Sequence, residues 1–243
     1  MKKQQLMRKN LRIIALTVAV FALFAVLLYD VSDKKLWRSW NFPLSGKIIV
    51  LDPGHGGPDG GAGYGDAKEK DIALAIALKL RDYLQEQGAL VIMTREEDKD
   101  LAAEDTRGLS RRKAEDLRKR LQMINESDAD LFVSIHLNAI TSSRWRGAQT
   151  FYFPRYPENE RAAKFIQAEL RRNLENTHRK ARPIRNVYIM EHAKRPGVLV
   201  EAGFLSNPAE RAELKTSKYQ NKVAASIYKG ILRYFTSEKE LSE

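Results

Sequence analysis

From Gly46 onward, short unbroken apolar runs alternate with amphipathic stretches of helical period, the pattern of an α/β domain. Lys47–Leu51 (KIIVL) is one such run and predicts a strand buried on both faces. In Lys70–Gln87, Ile72, Ile76, Leu80 and Leu84 recur four apart, and Gly88 is placed to end that helix. Ala89–Thr94 reads as a strand, and Ser110–Glu126 as a helix whose inner face is Ala114, Leu117, Leu121 and Ile124. Strands are expected at Asp130–Leu137 and at Gly147–Phe153, the latter near an edge because Pro154 follows it. A basic amphipathic helix over Glu158–Glu175, strands at Val187–Met190 and Gly197–Glu201, and a closing helix over Lys218–Phe235 complete the series. The expected fold is a single α/β domain with a mostly parallel or mixed central sheet flanked by helices on both faces. In such sheets, sites gather at the carboxyl ends of the strands.

The first forty residues follow a different pattern. Ile13 to Tyr29 is a run without a charge, about 25 Å long as a helix, near the lower limit for spanning a bilayer core. Lys2, Lys3, Arg8, Lys9 and Arg12 precede it, which predicts a cytoplasmic amino terminus and an exported remainder. No pair of small residues forms an A-x-A-like cleavage site, so an uncleaved anchor is favoured over a removed signal segment. Residues 1–29 are thus expected to be a membrane anchor or signal segment. Residues 30–45, with Trp37 and Trp40, are expected to be a linker, and residues 46–238 the catalytic domain.

Composition narrows the function. Of 243 residues none is Cys, which excludes disulfide scaffolds, cysteine nucleophiles and Cys-based zinc fingers. The net charge is +11, but eight basic residues against two acidic ones lie in residues 1–40, beside the apolar run. That distribution serves membrane topology and argues against a nucleic-acid partner. Only His55, His136, His178 and His192 are available for metal binding or imidazole chemistry.

Three segments place polar residues where a buried strand should stop. IVLDPGHGGPDGGA (49–62) holds His55 in a glycine-rich loop, FVSIHLNA (132–139) holds His136, and VLVEAGFLSN (198–207) holds Glu201. No G-x-x-x-x-G-K-[ST] is present, so the glycine-rich loop is not a phosphate loop of that type. Taken singly, a hydrogen-bonded structural histidine or a solvent-facing glutamate explains each. Together, two histidines and a carboxylate at strand ends offer a zinc ligand set that leaves a position open for water. His178 reads as a helix-end residue, His192 as part of the loop before the Glu201 strand, and Arg171–Arg172 and Arg179–Arg185 as solvated basic stretches.

DPGHGG, EKDIALAIALKL, SIHLNA and VLVEAGFLSN, in that order over residues 46–236, resemble the zinc-dependent N-acetylmuramoyl-L-alanine amidases of bacterial cell walls. SRRKAEDLRKR and YQNKVAASIYKGILRYF add a likeness to the short germination-specific subgroup of spore-forming bacteria. The resemblance implies that His55, Glu69 and His136 bind Zn2+ and that Glu201 is catalytic, as general base and acid. It also implies peptidoglycan as substrate, at the amide between the lactyl group of muramic acid and L-alanine. The implied place is extracytoplasmic, membrane-anchored or secreted, in the spore intermembrane space or cortex. Glu97–Asp116 is longer and more charged than the corresponding link in typical members. Other wall zinc hydrolases (a carboxypeptidase or a deacetylase) and a tethered peptidoglycan-binding module with a structural metal are the competing readings.

Overall fold

The computed structural model describes residues 2–32 and 42–236. It divides into two units, Met1–Phe42 and Pro43–Glu243. The first contains one helix, α1 (Lys2–Ser32), whose side chains from Ile13 to Val26 are exposed. Among the described residues no helix is long and apolar enough to cross a membrane. Most of the expected linker, including Trp37 and Trp40, lies outside the described residues.

In the second unit the chain runs β1 (Ile48–Pro53), β2 (Gly63–Tyr64), β3 (Ala67–Lys68), α2 (Glu69–Glu86), β4 (Leu90–Met93) and α3 (Leu109–Glu126). It continues with β5 (Leu131–Asn138), β6 (Gln149–Tyr152), α4 (Pro157–Leu174), β7 (Arg182–Pro183), α5 (Tyr188–His192) and β8 (Gly197–Phe204). Helices α6 (Pro208–Leu214) and α7 (Ser217–Thr236) close it. The main sheet has the order β4-β1-β5-β8-β6-β7, and β2 and β3 form a separate small hairpin. Strands β4, β1, β5 and β8 are parallel, β6 is antiparallel to β8, and β7 is parallel to β6. The expected mixed, mainly parallel sheet is therefore what forms.

Both faces of the sheet are covered, so alternate residues of each central strand enter different cores. Ile49, Leu51, Val133, Ile135, Val198 and Val200 join the larger core, beneath α2, α4 and α7. Val50, Phe132 and Leu199 point the other way, to a smaller core closed by Ile124 of α3 and Ile189 and Met190 of α5. Along that second face the strands change character toward their carboxyl ends. Phe132 is followed on the same face by Ser134 and His136, Val50 by Asp52, and Leu199 by Glu201.

Two expectations need correction. Val187–Met190 is not a strand: Tyr188–His192 forms a short helix after Asn186, which adopts a left-handed φ of 61°. A short apolar run fits a strand or a buried helical turn equally well, and here Ile189 and Met190 fill the smaller core on consecutive helical positions. The inner face of α3 is also more polar than expected. Its buried residues are Asp116, Arg120 and Ile124, while Ala114 is exposed.

Candidate metal centre and active site

Asp52, the last side chain of β1 facing the smaller core, is 1% exposed and takes three hydrogen bonds. Donors are Thr94 Oγ1 (2.8 Å), Ser134 Oγ (2.7 Å) and Arg120 Nη1 (2.8 Å). Burial alone would raise this carboxyl, but the Arg120 charge and the Ser134 hydroxyl outweigh it and hold Asp52 below the usual range. Arg120, also 1% exposed, donates to Asp116 Oδ2 one turn back on α3 (2.8 Å) and reaches from the helix to the carbonyls of Pro53 (2.7 Å) and His55 (2.6 Å). Arg95 holds the same loop from the other side, donating to the carbonyls of Pro53 (3.0 Å), Gly54 (2.9 Å) and Lys70 (2.8 Å). Two guanidiniums thus satisfy consecutive carbonyls of a loop in which His55 adopts φ 61°. A non-glycine residue in that region is strained and needs such support.

The loop delivers His55 to Glu69, the first residue of α2, and to His136 at the end of β5. His55 Nε2 lies 3.2 Å from Glu69 Oε2, and His136 Nδ1 lies 2.9 Å from Glu69 Oε1. The two rings meet edge to face with centroids 5.1 Å apart. One donor atom from each of the three residues lies within 4.8 Å of the others, the only such group among the described residues. Glu69 is aimed by the backbone, accepting from Ala62 N (2.8 Å) and Leu137 N (3.0 Å). Close approach is possible because position 54 is glycine: a Cβ there would sit 2.3 Å from the His136 ring. Gly61 does the same beside Glu69 Oε2, where a Cβ would come within 2.6 Å.

The donor set suits a divalent cation. Asp59 accepts from His55 Nδ1 at 2.9 Å, and Lys113 lies 3.1 Å from the same carboxylate. That contact places the ring proton on Nδ1 and directs the Nε2 lone pair at Glu69, the orienting arrangement found around metal-bound histidines. An Nε2 lone pair and a carboxylate oxygen at 3.2 Å repel unless a proton or cation lies with them. Burial pushes Glu69 up, yet the imidazoles beside it prevail, His136 with its hydrogen bond above all, and Glu69 lies well below the usual carboxylate range. Burial, the largest single influence, draws His136 down, but Glu69, Glu201 and Asp52 together raise it, so its net shift is upward. The cluster therefore attracts positive charge.

Glu201 occupies β8 directly beside His136 in the parallel register. Its Oε2 is buried with no hydrogen-bond partner among the described residues. Burial, the largest influence, and the nearby Glu69 charge raise it against the pull of the two imidazoles, to about 7. A buried carboxyl of near-neutral pKa beside a cation-seeking cluster is suited to passing a proton during metal-assisted hydrolysis.

All four residues singled out in the sequence thus converge. His192 does not join them: its Nδ1 bonds the Tyr188 carbonyl (2.9 Å) and its ring stacks on Tyr188. His178 is exposed. The sequence reading missed Asp59, Arg95 and Arg120. The available signal for Arg120 was its place between Leu117 and Ile124 on the inward stripe of α3. The charged Glu97–Asp116 stretch buttresses the glycine-rich loop, where Asp98 accepts from Gly57 N (2.8 Å) and Lys70 Nζ (2.6 Å).

Fold and site together define a hydrolase of the α/β type with its chemistry at the carboxyl edge of a covered sheet. Residues 49–233 match the Amidase_3 family of N-acetylmuramoyl-L-alanine amidases, and the chain belongs to that family. It is 59% identical over 98% of its length to the whole of the germination-specific N-acetylmuramoyl-L-alanine amidase of Bacillus subtilis. The CwlD amidase of Clostridioides difficile, solved in complex with the GerS lipoprotein, is 42% identical; the match covers 79% of this chain and 100% of that one, with a TM-score of 0.77. The catalytic domain of the CwlV amidase of Bacillus (Paenibacillus) polymyxa is 32% identical over 77% of this chain and 97% of that one, with a TM-score of 0.67. The chain is a peptidoglycan hydrolase of the amidase class.

Proposed function

We propose that His55, Glu69 and His136 hold a zinc ion and that Glu201 is the catalytic base and acid for cleavage of the lactyl–L-alanine amide in spore peptidoglycan. The supporting observation is the orphaned Glu201 Oε2, buried beside the three-residue donor group. When bound, zinc supplies a Lewis acid that polarises a carbonyl and makes water acidic enough to attack near neutral pH. Glu201 takes a proton from the attacking water as its oxygen bonds the lactyl carbon. It then gives that proton to the L-alanine nitrogen as the C–N bond breaks, which an amide nitrogen needs in order to leave. The products are a free L-alanine amine on the peptide and a lactyl carboxylate on the glycan.

The same reading puts the domain outside the cytoplasm, held at the membrane by the exposed uncharged run of α1, with basic residues on its amino side. The C. difficile relative in complex with a lipoprotein supports an accessory protein at that membrane.

Incubating the zinc-loaded protein with purified muropeptides and intact sacculi, followed by mass analysis, tests the reading. New L-alanine amino termini are expected. Released free amino acid, released acetate or no reaction would assign it instead to the carboxypeptidase, the deacetylase or the binding module.

A further inference from the structure

We infer that Lys113 is a positioning residue for the metal centre: its ammonium fixes the Asp59 carboxylate, which in turn fixes the ring of His55. The inference rests on the zinc-site reading above and gives the charged stretch before Lys113 a part in that site.

Asp59 sits in the glycine-rich loop, where Gly56 N donates to its carbonyl (2.9 Å) and its own N donates back to the Gly56 carbonyl (3.1 Å). Its Oδ1 accepts from Gly61 N at 3.1 Å and its Oδ2 from His55 Nδ1 at 2.9 Å. All of these partners belong to residues 55–61. They move with the loop, so by themselves they cannot set the carboxylate against the rest of the domain. Lys113 Nζ, 3.1 Å from Oδ2, is the one hydrogen-bonding or ionic partner of that carboxylate from outside the loop among the described residues.

Lys113 shares a stripe of α3 with Asp116 and Arg120, which follow it at the third and seventh positions. Arg120 donates to the His55 carbonyl at 2.6 Å. One helix face thus holds His55 twice, at the backbone through Arg120 and at the ring through Lys113 and Asp59. A fixed carbonyl leaves the side-chain torsions free, so the second hold is the one that aims the imidazole.

The opening of α3 is held in place by the preceding chain. Gly108 supplies no side-chain cap, and the first turn carries no acidic residue. Arg112 instead clasps Asp100 (2.6 and 2.9 Å) and the carbonyls of Ala103 and Thr106 (both 2.9 Å). Glu115 accepts from Ala103 N (3.1 Å) and Thr106 Oγ1 (2.5 Å), and Asp116 accepts from Leu101 N (2.9 Å). The link between β4 and α3 is therefore fastened to the helix on both sides of Lys113, which is what keeps a half-exposed lysine aimed at the loop.

The test measures zinc affinity of the full chain by competition with a chromogenic chelator. Lys113→Gln is expected to raise Kd about threefold to fivefold, the scale of one partly exposed ion pair. The sign is decisive. A lysine acting only as a positive charge near the ion would repel it, so its removal would lower Kd. Lys113→Arg should return Kd to within about twofold of the wild type. Asp59→Ala should raise Kd about 10–100-fold, and adding Lys113→Gln to it should change nothing further, because both act through one carboxylate. A lowered or unchanged Kd in Lys113→Gln, no recovery with arginine, or additive effects in the double variant would overturn the inference. The ring is followed separately, by NMR of the His55 Nδ1 proton in the metal-free protein, whose exchange with water should quicken in Lys113→Gln. Unchanged exchange overturns the inference whether or not zinc binds. If the wild type binds no zinc but the exchange quickens, the zinc reading fails and the link from Lys113 to His55 stands.

Discussion

Arg120 donates a 2.6 Å hydrogen bond to the carbonyl oxygen of His55, across sixty-five positions of sequence. The helix that carries Arg120 holds none of the proposed metal ligands, yet through this bond it sets the backbone of one of them. The same guanidinium ends in two buried carboxylates, Asp52 and Asp116.

Replacing Arg120 by Met should therefore destabilise the domain by about 3–5 kcal/mol, because two acids are left buried without their cation. Urea unfolding measures this. Arg120→Lys retains charge but not the fork, and is expected to lower zinc affinity about 10–100-fold, as measured by competition with a chromogenic chelator.

Glu201→Gln separates binding from chemistry. Zinc affinity should stay within a few-fold of the wild type, while turnover of muropeptides falls by about 10²–10⁴-fold. Near-normal turnover would remove Glu201 from the reaction.

Glu69→Ala, His55→Ala and His136→Ala are each expected to abolish stoichiometric zinc binding. Chelation of the wild type should remove activity, and added zinc should restore it. The wild type should also gain thermal stability with zinc, by about 2.7 kcal/mol at a hundredfold excess over Kd, and the three variants should not.

Glu201 also predicts a pH effect on stability in the metal-free protein. Its folded pKa, about 7, exceeds the ordinary 4.5, so between those values the folded state holds a proton that the unfolded state has lost. Stability from this group therefore falls as pH rises through that window, by up to about 3 kcal/mol, and is unaffected below it. Metal-free Glu201→Gln should match the wild type at pH 4 and exceed it in melting temperature at pH 8. A pH-independent difference would contradict the burial argument.

Gly54→Ala gives a steric test. The added Cβ lies 2.3 Å from His136, so the ring must move. Zinc affinity should drop sharply while circular dichroism at low temperature is little altered, since the collision is with one side chain at the sheet's rim.

Much of this was legible along the chain because the sheet is buried on both faces. Continuous apolar runs such as KIIVL and LFVSI, bounded by turn residues, fit interior strands, and a histidine or glutamate ending such a run marks the carboxyl edge. His55, His136 and Glu201 stood out for that reason. Glu69 did not: Asp66 and Asp71 lie on either side of it, and a helix-start acid has ordinary uses. Its role in the cluster depends on where α2 begins relative to the end of β5, a tertiary fact. Arg95 and Arg120 were hidden because charge normally signals a wet face, whereas here the buried carbonyls of a strained loop supply the partners. The helix at Tyr188–His192 was misread because a run that short has no period to measure.

His55, Glu69, His136 and Glu201 come from the first strand's loop, a helix start and two later central strands, with β8 closing the gap between β5 and β6. A chain emerging amino end first cannot bring its carboxyl to the other three until that last strand has slotted in. On the roles proposed for these four residues, a chain that lacks β8 holds the metal-binding side chains without their proton carrier, and is expected to leave peptidoglycan uncut.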